Sequence, residues 1–211
     1  GSLRWYRDTF ADSETAFAKA LGKDPYDMMC SEAAKVPAGS EGLIFLPYLT
    51  GERTPYPDPH ARGVFFGITL RSDRSHFVRA VLEGVAYGLR DSFSILDEMG
   101  VPVTQVRASG GGARSSVWRQ IQADIIGHDH VTINIDEGPA LGVALLAGVG
   151  TGIYPSVADA CRSVIKVTST TKTDPAAKKT YDGFYPVYQS LYASVKDQFA
   201  EVSRLAGEQA G

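Results

Sequence analysis

The sequence predicts an α/β fold in a single domain. Short apolar runs typical of buried strands alternate along the chain with segments whose apolar residues recur at helical spacing. The 211 residues are 44% hydrophobic and 21% charged, a composition typical of a globular chain that buries a substantial core. Because there is no internal repeat and no long linker between these segments, nothing divides the chain into two units.

The first half of the chain contains three helical patterns and two strand patterns. Asp24 followed by Pro25 is an N-terminal signal for the second helix, and Asp73 or Ser75 is the expected cap of the third. Helices are therefore expected over residues 3–21, 24–34 and 76–99, and strands at 43–46 and 63–68, with a loop rich in proline and charge at 50–62. The long third helix has one apolar stripe, expected to pack on the core: Phe77, Val78, Val81, Leu82, Val85, Leu89, Phe93 and Leu96.

The second half continues the alternation. Strands are expected at 103–108, 131–135 and, as an edge strand, 164–167; helices are expected at 116–127, 139–149 and around Cys161; and a solvated loop is expected at 166–179. The 139–149 segment is almost free of charge, which predicts burial on several sides. The terminal helix, interrupted near Pro186, has tyrosines at 181, 185, 188 and 192, and this helical spacing predicts a core-facing aromatic stripe.

A glycine triplet at 110–112 is the one segment that proposes a ligand by its own chemistry. It stands between an apolar run and a helix that starts at Ser116. Glycines let a ligand approach the backbone closely, and the free N–H groups of a helix start bind anions, a combination that suits nucleotide phosphates. The spacing is neither that of a P-loop nor the dinucleotide pattern. A nucleotide site and a purely structural turn therefore both remain open at this point.

Charge and composition exclude several function classes. The net charge is −3 and the isoelectric point is about 5.8, so no global basic field attracts nucleic acid or an anionic membrane. No apolar stretch approaches the ~18 residues of a membrane span, and none resembles a secretory signal. Two distant cysteines, Cys30 and Cys161, are expected to be small buried hydrophobes in a reducing compartment, which predicts a cytoplasmic protein.

No metal site is expected. His128 and His130 flank Asp129, but two histidines at this spacing without a third ligand nearby favour a polar surface loop. Asp91, Asp124 and Asp136 are expected to be solvated or capping residues rather than catalytic ones.

Four motifs in register resemble the FGGY carbohydrate kinases. Residues 63–68 (GVFFGI), followed after seven residues by 76–83 (HFVRAVLE), resemble the second signature of that family. Residues 109–115 (SGGGARS) are similar to its adenosine motif, and 138–144 (GPALGVA) to its closing small-residue helix. Residues 45–55 (FLPYLTGERTP) resemble the xylulose-specific members in particular. The match extends over nearly the whole chain.

The resemblance implies an actin-like, ribonuclease-H-like ATPase fold with a mixed sheet flanked by helices. Residues 1–211 would be most of the C-terminal nucleotide-binding domain, without its first strands and without the N-terminal sugar-binding domain. By motif, Gly111 and Gly112 would lie against ATP, with Ala113 and Ser116 beside them and Arg4 near the adenine.

The resemblance also implies what this segment lacks. The family's general base is an aspartate upstream of the region present here, so no residue of this chain is expected to be catalytic, and Mg²⁺ is expected to accompany ATP. Glu83 is expected to be structural. Glu52 and Arg53 would either stabilise a loop over the cleft or form a buried salt bridge that holds the proline-rich loop.

The implied activity is transfer of the ATP γ-phosphoryl group to D-xylulose. Ribulose, gluconate and glycerol remain alternative substrates, and a non-catalytic nucleotide-binding or dimer-forming module is an alternative of another class. The expected partners are a small-molecule sugar, ATP and the N-terminal domain of the same enzyme. Homodimer formation stays open, and no nucleic acid or membrane partner is expected.

Overall fold

The computed structural model describes residues 1–135 and 138–209. Within these residues the helices are α1 (Ser2–Phe10), α2 (Asp12–Ala20), α3 (Pro25–Ala33), α4 (Arg74–Glu98), α5 (Ser116–Ile126), α6 (Gly138–Gly150), α7 (Val157–Val164) and α8 (Pro175–Gln209). The strands are β1 (Ile44–Leu46), β2 (Val64–Phe66), β3 (Val106–Arg107), β4 (His130–Ile133) and β5 (Val167–Thr171). The α/β class predicted from the alternating pattern is confirmed.

The strands form two small sheets. β1 and β2 pair antiparallel, with Phe45 opposite Phe65. The second sheet has the order β3-β4-β5: β3 is parallel to β4, and β5 runs antiparallel to β4 at the edge. Parallel strands require a crossover connection, and α5 provides it between β3 and β4. The glycine triplet therefore lies at the carboxyl end of β3.

Helix α4 is the centre of the core. Asp73, not Ser75, caps it: the Asp73 carboxylate accepts from the N–H groups of Ser75 and His76. The His76 side chain in turn accepts from the backbone N–H of Asp73. Val78, Val81 and Leu82 are buried as the apolar stripe predicts. The stripe is wrong at Leu89, which is 40% exposed, because α8 packs against the face of α4 that carries Tyr87.

The tyrosine stripe of α8 is confirmed as core, and each hydroxyl has a polar partner. Tyr181 donates to Glu83, Tyr185 to Asp91 and Tyr192 to Asp58, at 2.9, 2.6 and 3.0 Å; the Tyr188 and Tyr48 hydroxyls are 3.2 Å apart. The predicted interruption near Pro186 is wrong, because α8 continues through that residue. The buried tyrosines on both sides of Pro186 hold the helix in place despite the missing N–H donor.

Two expectations for the C-terminal third are corrected. The predicted solvated loop at 166–179 instead forms β5 and the start of α8, because its threonines pair with the sequence-distant strand β4. The edge strand predicted at 164–167 is therefore β5, which lies further along the chain. The predicted burial of α6 on several sides is also wrong. Val143 and Leu146 are 70% and 60% exposed, because within the described residues α6 packs chiefly against α7.

Three polar residues are more buried than the sequence predicts. Asp91 and Asp124, expected to be solvated or capping, are 3% and 4% exposed. Helix α8 covers Asp91, and the Asp124 carboxylate accepts from Gln120 and from the N–H of Asp174 just before α8. His130 is buried in β4 rather than lying in a surface loop, and burial lowers its pKa. Asp136 lies outside the described residues.

The buried Asp91 predicts a pH-dependent stability. Burial raises the pKa of Asp91, while hydrogen bonds from Tyr185 and Gln189 act in the opposite direction. Since the folded-state pKa lies above the unfolded one, this group's stabilising contribution is complete at acid pH. It is lost as the pH rises through the folded-state value. Asp91→Asn, which removes the charge, is expected to raise the free energy of unfolding at pH 8 and to leave it nearly unchanged at pH 4.

Urea unfolding at the two pH values measures this difference. Asp97→Asn, on the exposed part of the same helix, is the control. If Asp91→Asn destabilises the protein equally at both pH values, the carboxylate charge is not the cause.

Candidate nucleotide-binding site

The glycine triplet forms a 3₁₀ turn, Gly111–Ala113, that runs directly into α5. Ser115 caps the helix, and its hydroxyl accepts from the N–H of Trp118 at 3.2 Å. Gly127 ends α5 with a left-handed backbone, as is common after a helix. The helix predicted for 116–127 is thus confirmed to within one residue.

Two backbone N–H groups of the turn, those of Gly111 and Gly112, have no hydrogen-bond partner in the part of the chain that the structure describes. The same holds for the N–H groups of Ser116 and Val117 in the first turn of α5. These donors lie within seven residues at the carboxyl end of β3, an edge where α/β sheets bind ligands. The arrangement can hold an anion such as a phosphate group.

The fold constrains the three glycines of the triplet to different degrees. Gly110 has φ +74° and ψ −171°, a region that only glycine adopts readily. A Cβ on Gly112 would lie 3.1 Å from the Trp118 ring, closer than a relaxed contact. A Cβ on Gly111 would meet no atom within 4 Å. A Cβ on Gly110 would also meet no atom, so Gly111 is the one glycine of the triplet that combines an open side-chain position with a backbone that other residues adopt.

Three side chains contact the turn and its helix cap. The Trp118 ring lies against Gly112 and packs on the core. The Arg119 guanidinium donates to the carbonyl oxygens of Ala113 and Arg114. Cys30 of α3 contacts Ser115; burial raises the pKa of this thiol, and the hydrogen bond with Ser115 opposes the shift.

The predicted ligand-binding residues separate into two groups. Gly111, Gly112, Ala113 and Ser116 come together in the turn and the first position of α5. Arg4 is exposed on α1, an element that packs on α2 and α4. Sequence reasoning misses Trp118 and Arg119 as supports of the turn. The signal that could have identified Trp118 is the bulky aromatic six residues after Gly112.

The proline-rich loop at 50–62 is held by backbone hydrogen bonds and by a ring contact rather than by an ion pair. Glu52 accepts from the N–H groups of Arg53 and Thr54 at 2.6 and 3.1 Å, and its backbone pairs with Asp58. Arg53 is exposed, so the second of the two alternatives, a buried salt bridge, is wrong: the backbone N–H groups of Arg53 and Thr54 bind the Glu52 carboxylate. The ring of Tyr56 stacks on Tyr192 with centroids 3.8 Å apart, which attaches the loop to α8.

Glu83 is structural, as expected. Its buried carboxylate accepts from the N–H of Gly39, Nε of Arg79 and the hydroxyl of Tyr181, at 3.1, 2.7 and 2.9 Å. Burial raises the pKa of Glu83, and Arg79 with the hydrogen bonds opposes this shift. The Tyr181 bond joins α4 to α8, and the Gly39 bond joins α4 to the segment that follows α3.

Metal-binding clusters and membrane-spanning helices are both missing from the described residues. Among residues 1–135 and 138–209, no group of three or more histidine, cysteine, aspartate or glutamate side chains has an arrangement suited to a metal ion. None of the helices in these residues combines the length and hydropathy needed to cross a bilayer.

Comparisons with known proteins agree with this architecture. The sequence profile described as "FGGY family of carbohydrate kinases, C-terminal domain" matches residues 1–151. Gluconokinase from Bacillus subtilis (strain 168) is 41% identical over 202 residues, which are 95% of this chain and 39% of that protein. A xylulose kinase from Staphylococcus epidermidis is 34% identical over 201 residues, covering 95% of this chain and 38% of the relative.

A solved structure supports the same assignment. The ligand-bound xylulose kinase from Lactobacillus acidophilus superimposes with a TM-score of 0.83 at 29% identity, over 95% of this chain and 39% of that one. The chain thus spans about two fifths of the length of these relatives. The fold is that of the FGGY sugar kinases, which have an actin-like ATPase architecture. The profile match over residues 1–151, which include the glycine turn and α4, shows that this chain belongs to the FGGY family of carbohydrate kinases.

Proposed function

We propose that this chain is the C-terminal, ATP-binding portion of an FGGY kinase that phosphorylates a sugar or sugar acid. The observation that carries the proposal is the turn at 111–116: the N–H groups of Gly111, Gly112 and Ser116 lack partners among the described residues, and the side-chain position of Gly111 faces open space. Phosphate oxygens are the acceptors that such a turn suits. The family membership supplies the reaction class.

The chain's own contribution is to bind and orient the nucleotide. The N–H groups of Gly111 and Gly112 would hold phosphate oxygens, and the absence of a Cβ at Gly111 allows the ligand to contact the backbone. Ser116 and Ala113 would line the same surface, while Arg4 on α1 is proposed near the adenine. ATP, when bound, supplies the transferable γ-phosphoryl group.

The residues that would perform the transfer itself are not proposed within this chain. The described residues contain no acidic cluster suited to Mg²⁺, so we assign the metal to the nucleotide phosphates and derive no step through it. The general base and the sugar contacts are proposed to come from the part of the relatives that this chain does not match. Closure of the two parts would exclude water from the site.

D-xylulose is the substrate that we propose, with D-xylulose 5-phosphate as the product. The support is the 45–55 segment, FLPYLTGERTP, which resembles the xylulose kinases. In the structure this segment runs from the buried strand β1 into the loop held by Tyr56 and Tyr192. It supports the substrate by kinship rather than by contact with the sugar.

D-gluconate is the second candidate. The observation that favours it is the 41% identity with the Bacillus subtilis gluconokinase across 95% of the chain, a higher value over this length than the 34% found with the Staphylococcus epidermidis xylulose kinase.

Steady-state kinetics of the product of the complete reading frame that encodes this chain, with both substrates, separates the candidates. A neutral ketose and a sugar carboxylate make opposite demands on a buried polar site, so kcat/KM for the true substrate should exceed the other by about 100-fold or more. Preference for D-xylulose supports the first proposal, and preference for D-gluconate replaces it. We expect the 211-residue chain alone to phosphorylate neither substrate. Turnover by this chain would contradict the proposal that the general base and the sugar contacts lie in the rest of the enzyme.

A further inference from the structure

The side chain of Arg119 contacts the backbone of the glycine turn. From the first part of α5 its Nη1 donates to the carbonyl oxygen of Ala113 and to that of Arg114, the latter at 3.2 Å. Its Nε is buried and has no hydrogen-bond partner in residues 1–135 and 138–209. Within these residues, the hydrogen bonds of its guanidinium all go to the backbone of the turn.

These two carbonyl groups set the orientation of the turn. A peptide group is planar and trans, so its C=O and the following N–H point in opposite directions. Holding the oxygen of Ala113 fixes the N–H of Arg114, which closes the turn on the oxygen of Gly111 at 3.3 Å. Holding the oxygen of Arg114 directs the N–H of Ser115 away from the guanidinium.

The neighbouring Trp118 holds the turn from a second direction. Its ring lies beneath Gly112, where a Cβ would come within 3.1 Å, and its indole N–H is also buried without a partner among the described residues. Consecutive residues of one helix thus fix consecutive parts of the turn: the ring supports Gly112, and the guanidinium supports residues 113 and 114.

The charge of Arg119 is not compensated within the described chain. No aspartate or glutamate of residues 1–135 or 138–209 forms an ion pair with it; its partners are the two neutral carbonyl groups. A partly buried cation without a counter-charge adds positive potential at the turn that it contacts, and this potential favours an anion there.

We infer that Arg119 is a positioning residue for the nucleotide: it fixes the glycine turn in its binding conformation and supplies positive potential behind it, without contacting the ligand. This inference rests on the proposed function. Arg119 then differs from a residue that only stabilises the fold. Removing its side chain should change the turn and the nucleotide affinity more than it changes the rest of the protein.

The test compares Arg119→Gln and Arg119→Lys with Arg162→Gln, which changes an exposed arginine of α7 whose ion-pair partner in the described residues is the nearby Asp159. Two quantities are measured: the Kd for Mg·ADP by calorimetry, and the ¹⁵N order parameters of Gly111 and Gly112 without ligand. Arg119→Gln should raise the Kd about tenfold or more and lower both order parameters. Arg119→Lys, which keeps the charge and one donor, should lie between Arg119→Gln and wild type. Arg162→Gln should change neither quantity.

The two measurements separate failure of the inference from failure of the proposed function. If wild type binds Mg·ADP and Arg119→Gln binds it equally well, the inference is overturned and the proposed function stands. If wild type binds no nucleotide, the proposed function fails for this chain, and the inference about Arg119, which rests on it, is overturned as well. Should Arg119→Gln fail to fold, Arg119→Lys decides by the same two criteria.

Discussion

Replacing Glu83 with alanine is expected to lower the free energy of unfolding by about 3–5 kcal/mol. The carboxylate is buried and accepts three hydrogen bonds, from Gly39, Arg79 and Tyr181. Its loss would leave the Arg79 guanidinium, 11% exposed, without its charge partner in a buried site. Removing one member of a buried ion pair is far more costly than replacing both, because the remaining charge stays desolvated.

Urea unfolding of Glu83→Ala and Glu83→Gln measures this effect. Glu83→Gln keeps an acceptor oxygen but removes the charge, so it should retain most of the destabilisation if the charge of Arg79 dominates. Glu32→Ala, which breaks an exposed pair with Lys35, is the control and should have little effect. A Glu83→Ala protein as stable as wild type would show that Arg79 finds water or another acceptor.

Gly84→Ala is the second large effect, expected to cost about 3 kcal/mol or more. A Cβ on Gly84 would lie 2.2 Å from the carbonyl oxygen of Phe45 and 3.1 Å from its carbonyl carbon. Both are backbone atoms of β1, every residue of which is buried, so neither the helix nor the strand can move without disturbing the core. Glycine at this position therefore sets the close approach of α4 to β1.

Gly88 provides a matched control one helical turn further along α4. A Cβ there would meet only the Tyr188 hydroxyl at 3.6 Å and Pro47 at 3.9 Å, ordinary contact distances. Gly88→Ala should therefore stabilise the protein by about 0.5–1 kcal/mol, the usual gain of alanine over glycine inside a helix. Thermal or urea unfolding of both variants decides: similar destabilisation by the two would mean that helix geometry, not the contact with Phe45, governs position 84.

The parts of the fold that sequence predicts well are those determined locally. Asp24 with Pro25 and Asp73 with His76 mark helix starts because the capping bonds involve residues within one turn. The tyrosine stripe of α8 is predictable for the same reason: its periodicity is a property of one helix. The glycine turn and α5 likewise follow from adjacent residues, so the local sequence alone is enough to indicate the candidate site.

The errors concern contacts between distant segments. Whether Asp91 is solvated depends on α8, which begins 84 residues later and brings Tyr185 and Gln189 to it. The pairing of β5 with β4 depends on register between strands 34 or more residues apart, and threonine-rich segments also occur in loops. The exposure of α6 has a related cause: its apolar composition indicates a burying partner, but within the described residues α7 alone is not enough.

The role of Arg119 shows the same limit within the site. An arginine on a helix is ordinarily expected to be solvated, and only the backbone path of residues 111–114 brings two carbonyl oxygens to its guanidinium. The surroundings of the glycines also make Gly111 a better probe of the site than Gly112. A larger residue at Gly112 would collide with Trp118 and confuse loss of binding with loss of local structure, whereas Gly111 has open space around it.

The most direct test of the nucleotide assignment is calorimetric titration of Mg·ADP into the wild-type chain, Gly111→Ala and Gly183→Ala. The two substitutions are matched, since a Cβ at either position meets no protein atom within 4 Å, and Gly183 lies far along the sequence on α8. We expect wild type and Gly183→Ala to bind equally. Gly111→Ala should bind about tenfold or more weakly, because a displaced phosphate loses a charge-assisted hydrogen bond of about 1.5–3 kcal/mol. Binding by Gly111→Ala as tight as wild type, or no binding by a folded wild-type chain, would contradict the assignment of the nucleotide to this turn.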